Sequence, residues 1–562
     1  MANSDFNPEL SYFAETDFRG KHSRFGIKNE DRSRHLYVIG KTGMGKSTLL
    51  ENMAIQDIRN GHGIAFIDPH GSTADKLLDY VPKSRAKDVI YFAPFDLDYP
   101  ISFNVMEDVG ADQRHLVVNG LMSAFKKIWG EESWSDRMAY ILTNILLALL
   151  EYPGSTLLGV NRMIADKNFR QKVVANVTDP GVKAYWTDEF AKYTERFAAE
   201  AVPAIQNKIG QFTSNPLIRN IIGQKKSSFD FRKVMDEKKI LIVNLSKGQV
   251  GEGNANLLGS MIITKLYLAA MSRANLSGPA LRTLPPLYLF VDEFQSFANE
   301  SFANILSEAR KYKLALSIAH QYIEQMPEEV RAAVFGNVGT LITFRVGPLD
   351  AELLEKIFEP TFMHEDIVNL SRYQMYLTLM IDGVGSPPFS AVALPPIPLL
   401  QDSLKEEIIA YSRKIYANPR IEVEKLINVW HNGENQAPSS PRQNPPRQDY
   451  GERRDNKRVE PGAQPVSLKV LEKPPTEKKL LSETEKARIR EELRHSLKTI
   501  THSTSNFGPS PQVAKPTQVR PNQNQKPDHT EKPPLYKSAR EDTGASKEEV
   551  SREELEKIIR VD

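Results

Sequence analysis

Short, almost continuous apolar runs recur along the first 400 residues of the chain. They cover residues 35–39, 63–67, 89–93, 240–245, 287–291, 314–319, 340–345 and 375–381. The runs are rich in β-branched side chains and show little alternation, a pattern typical of strands buried on both faces. Helical patterns lie between many of them. We therefore predict an α/β fold with a mostly parallel sheet.

No such apolar run appears between residues 105 and 230. That stretch has helical periodicity instead, for example over residues 134–150 and 182–209. We predict an all-α insertion at 105–230 that divides the α/β domain into residues 30–104 and 231–400. Residues 1–29 are then an N-terminal extension, and residues 401–430 are a helical extension.

The chain changes character near residue 431. The last 132 residues hold 15 of the 36 prolines, with Gln-Asn-Arg clusters and few aromatic side chains. Such a segment buries too little apolar surface to offset the entropy of ordering, so residues 431–562 are predicted to be largely disordered. Two short helices are predicted there from capping boxes at Ser482/Glu485 and Ser551/Glu554. They are either marginal helices in a linker or docking helices for a partner.

Composition and charge exclude several classes of protein. The chain has no cysteine, which excludes disulfides and thiolate metal sites, and its net charge of +2 excludes a histone-like protein. The longest apolar run without a charge covers the 13 residues 138–150, which is too short to span a bilayer. The first 22 residues lack the apolar core of a signal peptide, so we expect none. We expect a cytoplasmic protein with no transmembrane segment of its own.

The strongest motif follows the first of the predicted central strands. Residues 40–47 read GKTGMGKS and match GxxxxGK[ST], with a helical pattern that opens at Lys46 and ends near residues 60–61. Glycines let successive N–H groups face an anion, and the helix N-terminus adds positive potential. We predict a site for ATP and Mg²⁺, with nucleotide contacts from Thr42, Gly43, Met44, Gly45, Lys46, Ser47 and Thr48. Ser47 is also a predicted metal ligand.

Two later strands end in polar residues suited to hydrolysis. LYLFVDEFQ at 287–295 places Asp292 at a strand tip, where a Walker B aspartate holds the metal, and Glu293 is the predicted general base. The alternative is an ordinary solvated acidic pair. The next strand ends at His320, which we interpret as structural, and Gln321 after it is either a γ-phosphate sensor or a polar loop residue.

Two arginines are candidates for stabilising the phosphoryl group as it is transferred. Arg34 precedes the P-loop strand, and Arg310 lies in the SEARKYK segment after the predicted Walker B strand. An arginine supplied by a neighbouring subunit stabilises charge on that group. The alternative for both is a surface charge on a solvated face.

The motifs together resemble the FtsK–HerA class of P-loop motors, and more narrowly the TraG/TraD-like coupling proteins of type IV secretion. The matching pieces are RHLYVIGKTGMGKSTLL, FIDPHG at 66–71, FN at 103–104, KILIVNLSKG at 239–248, LFVDEFQ and LSEARKYKLALSIAHQY. The resemblance covers residues 30–400. It departs from the family's pattern where membrane-anchored members carry transmembrane helices, since about 30 polar residues precede the motor here.

The resemblance implies a RecA-like motor in a homo-hexameric ring, with ATP between subunits and DNA in the pore. It implies that Arg34 and Arg310 complete a neighbour's site as catalytic residues with Glu293 and Gln321. It also implies that the insertion meets secretion substrates or relaxosome proteins, and that a chain without an anchor docks peripherally to a membrane partner. Two other functions stay open: a protein-secretion or pilus-assembly ATPase, and a nucleotide-gated adaptor.

Overall fold

A computed structural model of the protein describes residues 7–17, 20–193, 195–299, 301–399 and 402–432. The strands are β1 (Leu10–Thr16), β2 (Arg24–Lys28), β3 (Leu36–Ile39), β4 (Gly63–Asp68), β5 (Val89–Phe92), β6 (Ile240–Asn244), β7 (Leu287–Val291), β8 (Leu314–His320), β9 (Thr340–Thr343), β10 (Gln374–Thr378), β11 (Met380–Ile381), β12 (Val384–Gly385) and β13 (Phe389–Ala393).

The α-helices fall into three groups along the chain. Among the described residues, the first two follow the P-loop and β4, eight lie between β5 and β6, and the other nine follow β6. They are α1 (Lys46–Arg59), α2 (Ser72–Leu77), α3 (Ala111–Trp129), α4 (Asp136–Glu151), α5 (Gly159–Ala165), α6 (Lys167–Asn176), α7 (Pro180–Ala184), α8 (Glu195–Thr213), α9 (Pro216–Ile222), α10 (Phe231–Asp236), α11 (Lys247–Val250), α12 (Glu252–Met271), α13 (Gly278–Thr283), α14 (Ser301–Glu308), α15 (Glu328–Asn337), α16 (Pro348–Phe358), α17 (His364–Val368), α18 (Lys405–Tyr416) and α19 (Arg420–Asn432).

One 11-stranded sheet organises the fold, in the order β2-β1-β13-β10-β9-β3-β8-β7-β4-β6-β5. The strands from β9 to β5 are parallel, while β10, β13, β1 and β2 extend the sheet in antiparallel pairs. Because parallel strands share one orientation, their carboxyl ends meet at a single edge, where ligands of open α/β sheets bind.

Both faces of the parallel strands are buried, as their uninterrupted apolar sequences predict. In β3, Leu36 and Val38 belong to one hydrophobic cluster, while Tyr37 and Ile39 belong to another on the opposite face. Helix α1 packs in the first cluster, and α12 lies in the second. The predicted α/β fold with a mostly parallel sheet is therefore confirmed.

The predicted strands are all present, but the sheet is larger than predicted. The prediction missed β1, β2, β12 and β13, and it merged β10 with β11. Residues 1–29, predicted to be an extension outside the α/β domain, instead contribute β1 and β2 to the main sheet. Strand β2 buries Phe25 and Ile27 and exposes its two ends, a short period-2 pattern that a search for continuous apolar runs overlooks.

The described residues of the insertion form helices joined by turns and irregular segments, with no strand among them. The helix predicted over 134–150 is present as α4, but the one predicted over 182–209 is interrupted. There the chain passes from α7 through a π-helical turn (Tyr185–Glu189) and a 3₁₀ turn (Phe190–Lys192) before α8 begins. Because α3 packs on α12, the apolar residues of the insertion join the cluster on one face of the sheet.

Helix α12 and the turn after it have the length and composition of a bilayer-spanning segment. Within Glu252–Asn275, a window of 18 residues has a mean hydropathy of 1.2, and 72% of that window is buried inside the protein. A core helix in contact with apolar neighbours on all sides has the same character. The predicted tail, with its two short helices at Ser482 and Ser551, lies outside the described residues.

Candidate active site

The P-loop connects the carboxyl end of β3 to the first turn of α1. Gly43 and Gly45 have φ values of 77° and 123°, a region that side chains with a Cβ rarely adopt. Gly45 is the N-cap of α1, so no side chain accepts a hydrogen bond from the first backbone N–H groups of this helix. These donors and the helix dipole make the loop an anion-binding cradle.

Lys46 lies beneath this loop with only 5% of its surface exposed. Its Nζ donates hydrogen bonds to the carbonyl oxygens of Gly40, at 2.6 Å, and Lys41, at 3.3 Å. Burial lowers the pKa of Lys46, while Glu293 and Asp292 act in the opposite direction. The ammonium group is therefore held between the loop and a carboxylate cluster.

The other predicted loop residues differ in exposure. Thr42, Gly43 and Ser47 are exposed, Thr48 is half-buried in the first turn of α1, and Met44 is buried. Arg372, which the sequence analysis missed, donates from Nε to the carbonyl oxygen of Gly43 at 3.2 Å.

Ser47 and Asp292 are in contact although the strands that precede them, β3 and β7, are not adjacent. We expected Asp292 on a neighbour of the P-loop strand, but β8 lies between β3 and β7. Two strand spacings, about 10 Å, separate β3 from β7, and α1 reaches across them. As a result, Ser47 Oγ donates a hydrogen bond of 2.8 Å to Asp292 Oδ2.

The carboxyl group of Asp292 is buried among other carboxylates, with 3% of the residue exposed. Burial raises its pKa, the hydrogen bond from Ser47 lowers it, and the nearby charges of Glu293 and Asp68 raise it further. A cluster of this kind is stabilised by a cation, and carboxylate and hydroxyl oxygens are ligands that Mg²⁺ prefers. The oxygen donors of Ser47 and Asp292, the two predicted metal ligands, therefore fit Mg²⁺.

Glu293 is held in a strained and well-defined position. Its φ of 47° is unusual for a residue with a side chain, and such strain is concentrated at functional sites. Gln321 Nε2 donates to Glu293 Oε1 at 2.6 Å, and Gln295 donates to the other carboxylate oxygen. His70 Nε2 lies 3.8 Å from Oε1. The structure thus brings Glu293 and Gln321 together, and it adds Gln295 and His70, which the sequence analysis missed.

Asp68, at the end of β4, is the residue that shapes the loop carrying His70. Its carboxylate accepts hydrogen bonds from the backbone N–H groups of His70, Thr73 and Ala74 at 2.8–2.9 Å. The sequence signal for this loop is DPHG at 68–71, in which an acid follows a buried strand and is succeeded by proline and glycine.

Arg34 and Arg310 lie away from the P-loop of their own chain. Arg34 ends the turn before β3, and Arg310 lies in the turn before β8, so both are at the amino edge of the parallel strands. Burial lowers the pKa of Arg310, and the nearby charge of Arg34 lowers it further. Within the described ranges, neither guanidinium forms an ion pair with a carboxylate.

His320, interpreted as structural, is buried beside this site. Its Nδ1 lies 3.2 Å from the hydroxyl oxygen of Tyr37, and burial lowers its pKa to about 3. The ring is therefore neutral at physiological pH.

The sequence places this site in a known family. The family model described as the type IV secretion-system coupling protein DNA-binding domain matches residues 21–359. The chain belongs to this coupling-protein family. Its predicted resemblance to coupling proteins is therefore confirmed. No curated protein matches the chain significantly.

Solved coupling-protein structures share the fold. The plasmid coupling protein TrwB in complex with a non-hydrolysable ATP analogue is 16% identical, with a TM-score of 0.50 over 70% of this chain and 95% of that chain. TrwB with ADP and Mg²⁺ matches at 16% identity and a TM-score of 0.50, over 69% and 96%. VirB4 of Thermoanaerobacter pseudethanolicus matches at 12% identity and a TM-score of 0.48, over 69% and 98%. The TrwB likeness shows a P-loop nucleotide-hydrolase fold.

Proposed function

We propose that this coupling-protein family member is an ATP-hydrolysing motor that translocates DNA in conjugation or type IV secretion. The observation that carries the proposal is a pair of hydrogen bonds beside the P-loop. Ser47 donates to Asp292, and Gln321 donates to Glu293. Nucleotide binding needs only the loop. Hydrolysis also needs a group that accepts a proton from water, and the carboxylate of Glu293 after β7 can do this. The amide of Gln321, after the adjacent strand β8, holds that carboxylate and can respond when the γ-phosphate is lost.

The substrate is ATP, held by the N–H groups of residues 43–48 and by Lys46. The TrwB structures with an ATP analogue and with ADP and Mg²⁺ support this choice through the shared fold. Ser47 and Asp292 would hold Mg²⁺, which would supply positive charge against the phosphates. That charge would also compensate the carboxylate cluster of Asp292, Glu293 and Asp68.

Glu293 accepts a proton from the attacking water as the general base. Gln295 and Gln321 hold its two carboxylate oxygens, which fixes the orientation of the side chain before the reaction. When the γ-phosphate leaves, Gln321 loses its hydrogen bond to the phosphate and keeps the one to Glu293. Because Gln321 follows β8, this strand transmits the loss of the phosphate away from the site. An adaptor that only switches has less need of this pair.

Arg34 and Arg310 act on the ATP of a neighbouring subunit in a homo-hexameric ring. Their position at the amino edge, opposite their own P-loop, leaves them without a role in the same chain's site. Two guanidinium groups that raise each other's electrostatic energy are stabilised when they meet an anion.

DNA passes through the pore of this ring and is gripped through its phosphates rather than its bases. The family's description as a DNA-binding domain supports DNA as the cargo. A motor that moves protein is the alternative, and the two differ in how their ATP turnover responds to nucleic acid.

The test is the ATPase rate with and without single-stranded and double-stranded DNA, from low to high salt. We expect stimulation by DNA that weakens steeply as salt rises, because each phosphate contact releases counterions. Turnover that ignores both forms of DNA at every salt concentration contradicts DNA translocation and favours a protein-moving ATPase. The Lys46→Ala protein, prepared in the same way, measures the background from contaminating ATPases.

A further inference from the structure

A cleft separate from the P-loop lies at the junction between the sheet and the helical insertion. The chain enters the insertion through residues 107–109 and leaves it through residues 227–230, and the cleft, of about 620 Å³, opens between these crossings. Helix α12 forms one wall. This volume is in the range of small-molecule sites in proteins, about 300–1,000 Å³.

Lys265 of α12 lies in this cleft with 8% of its surface exposed. Its Nζ has one long hydrogen bond, 3.4 Å, to the backbone carbonyl oxygen of Glu107. Within the described ranges, no carboxylate oxygen lies within 4.0 Å of this ammonium group. An ammonium group has three donors, so Lys265 keeps hydrogen-bonding capacity for a further acceptor.

The two nearest carboxylates are engaged elsewhere. Glu107 accepts hydrogen bonds from the backbone N–H and the hydroxyl group of Ser227, and Asp108 is held by Arg114 at 3.0 and 3.1 Å. They lie near enough to act on Lys265, although burial is the dominant effect and lowers its pKa to about 8. Four acidic side chains and four basic side chains line the cleft, so their formal charges balance.

The remaining lining of the cleft is mixed, with an apolar part beside polar and charged side chains that include Asp230, Arg232, Lys233, Glu237 and Lys239. Phe229, Phe231 and Leu268 belong to the apolar part, and all three are largely buried in the protein. Lys265 and this apolar part together suit an occupant that combines a negatively charged acceptor with an apolar group.

We propose that this cleft binds a carboxylate attached to an apolar group. The carboxylate accepts hydrogen bonds from Lys265 Nζ, and the apolar group contacts Phe229, Phe231 and Leu268. Because the cleft lies where the insertion joins the sheet, the ligand bridges α12 and both crossing segments. The cleft shares no lining residue with the P-loop site.

The test is a binding measurement on the full chain by titration calorimetry, with 3-phenylpropanoate as the probe. We expect saturable binding with a dissociation constant below about 1 mM, and no binding of the uncharged 3-phenylpropanamide. Lys265→Met keeps the length of the side chain and removes the charge, so affinity should fall about tenfold to a hundredfold. Lys172→Met, a matched change at an exposed lysine of α6, should leave affinity unchanged.

Chemical labelling of the unaltered protein gives a second readout that no folding defect affects. Acetylation of Lys265, followed by peptide mass spectrometry, should slow in the presence of 3-phenylpropanoate and not in the presence of the amide. A dipeptide such as N-acetyl-Leu-Phe, free or amidated at its C-terminus, distinguishes a peptide end from a small organic acid as the source of the carboxylate. Equal binding of acid and amide, or full affinity in Lys265→Met, overturns the proposal.

Discussion

Replacing Glu293 by glutamine removes the proposed general base while keeping the shape of the side chain. In the structure, both carboxylate oxygens of Glu293 accept hydrogen bonds from amide N–H groups, those of Gln321 and Gln295. A glutamine offers only one acceptor oxygen, so its own NH₂ group meets one of these NH₂ donors. The variant therefore loses the proton acceptor and part of the arrangement that orients it.

The expected loss follows from what a general base contributes. Proton transfer by a positioned side chain accelerates a reaction about 10²–10⁴-fold, which corresponds to about 2.7–5.5 kcal/mol in the activation free energy. ATP affinity should be equal or higher, because the variant removes a negative charge near the site of the γ-phosphate. Removal of that charge leaves Lys46 without one of the two carboxylates that favour its charged form.

Phosphate release in the steady state and binding of a fluorescent ATP analogue measure the two quantities separately. Glu324→Gln, a change of the same kind at an exposed position near the end of β8, is the matched control and should keep the normal rate. If Glu293→Gln hydrolyses ATP at the rate of the unaltered protein, Glu293 is not the general base. If it fails to bind ATP, the residue has a structural role instead.

Further outcomes follow from the same geometry. Lys46→Ala should abolish ATP binding or turnover and leave the circular dichroism spectrum unchanged, and normal turnover would exclude the P-loop as the site. Arg310→Ala should be inactive alone, yet a mixture with Lys46→Ala protein should regain part of the activity, because one subunit then contributes its arginine to the other's intact P-loop; no recovery contradicts action between subunits. Burial lowers the pKa of His35 to about 4, and its Nδ1 accepts the backbone N–H of Leu316. Because the unfolded histidine takes up its proton near pH 6.5, stability should be full above that pH and fall by about 3 kcal/mol as the pH drops to 4. Denaturant midpoints measured across this pH range should show the loss of stability. If stability depends on pH in the same way in the His35→Gln protein, His35 is not its cause.

The fold and the centre of the site follow from local sequence patterns. Continuous β-branched runs identify strands buried on both faces, and a P-loop fixes the orientation of β3 and α1. The carboxyl ends of parallel strands meet at one edge, so a P-loop, Asp292 and Gln321 after three such strands predict one site.

Other features depend on tertiary contacts that the local sequence does not encode. Strand β8 lies between β3 and β7 because the order of the strands in the sheet differs from their order along the chain. Asp57 in α1 holds Arg32 by two hydrogen bonds of 2.7 Å, and this buried pair ties the turn before β3 to the P-loop helix. Neither charge has a sequence pattern that marks it as buried.

Burial at the insertion is also invisible in the sequence. Lys265 lies in an apolar helix, where a single lysine is ordinarily expected to be exposed, yet only 8% of its surface is exposed and its Nζ donates to the carbonyl oxygen of Glu107. Only the packing of the insertion on α12 places this amine in a cleft.

Movement along DNA is the most direct test of the account. Displacement of streptavidin from biotinylated single strands, and of a third strand from a DNA triplex, reports translocation on the two forms of DNA. We expect displacement on at least one track with Mg·ATP, and none with a non-hydrolysable analogue or with Glu293→Gln. ATP hydrolysis without displacement on either track would contradict a DNA motor.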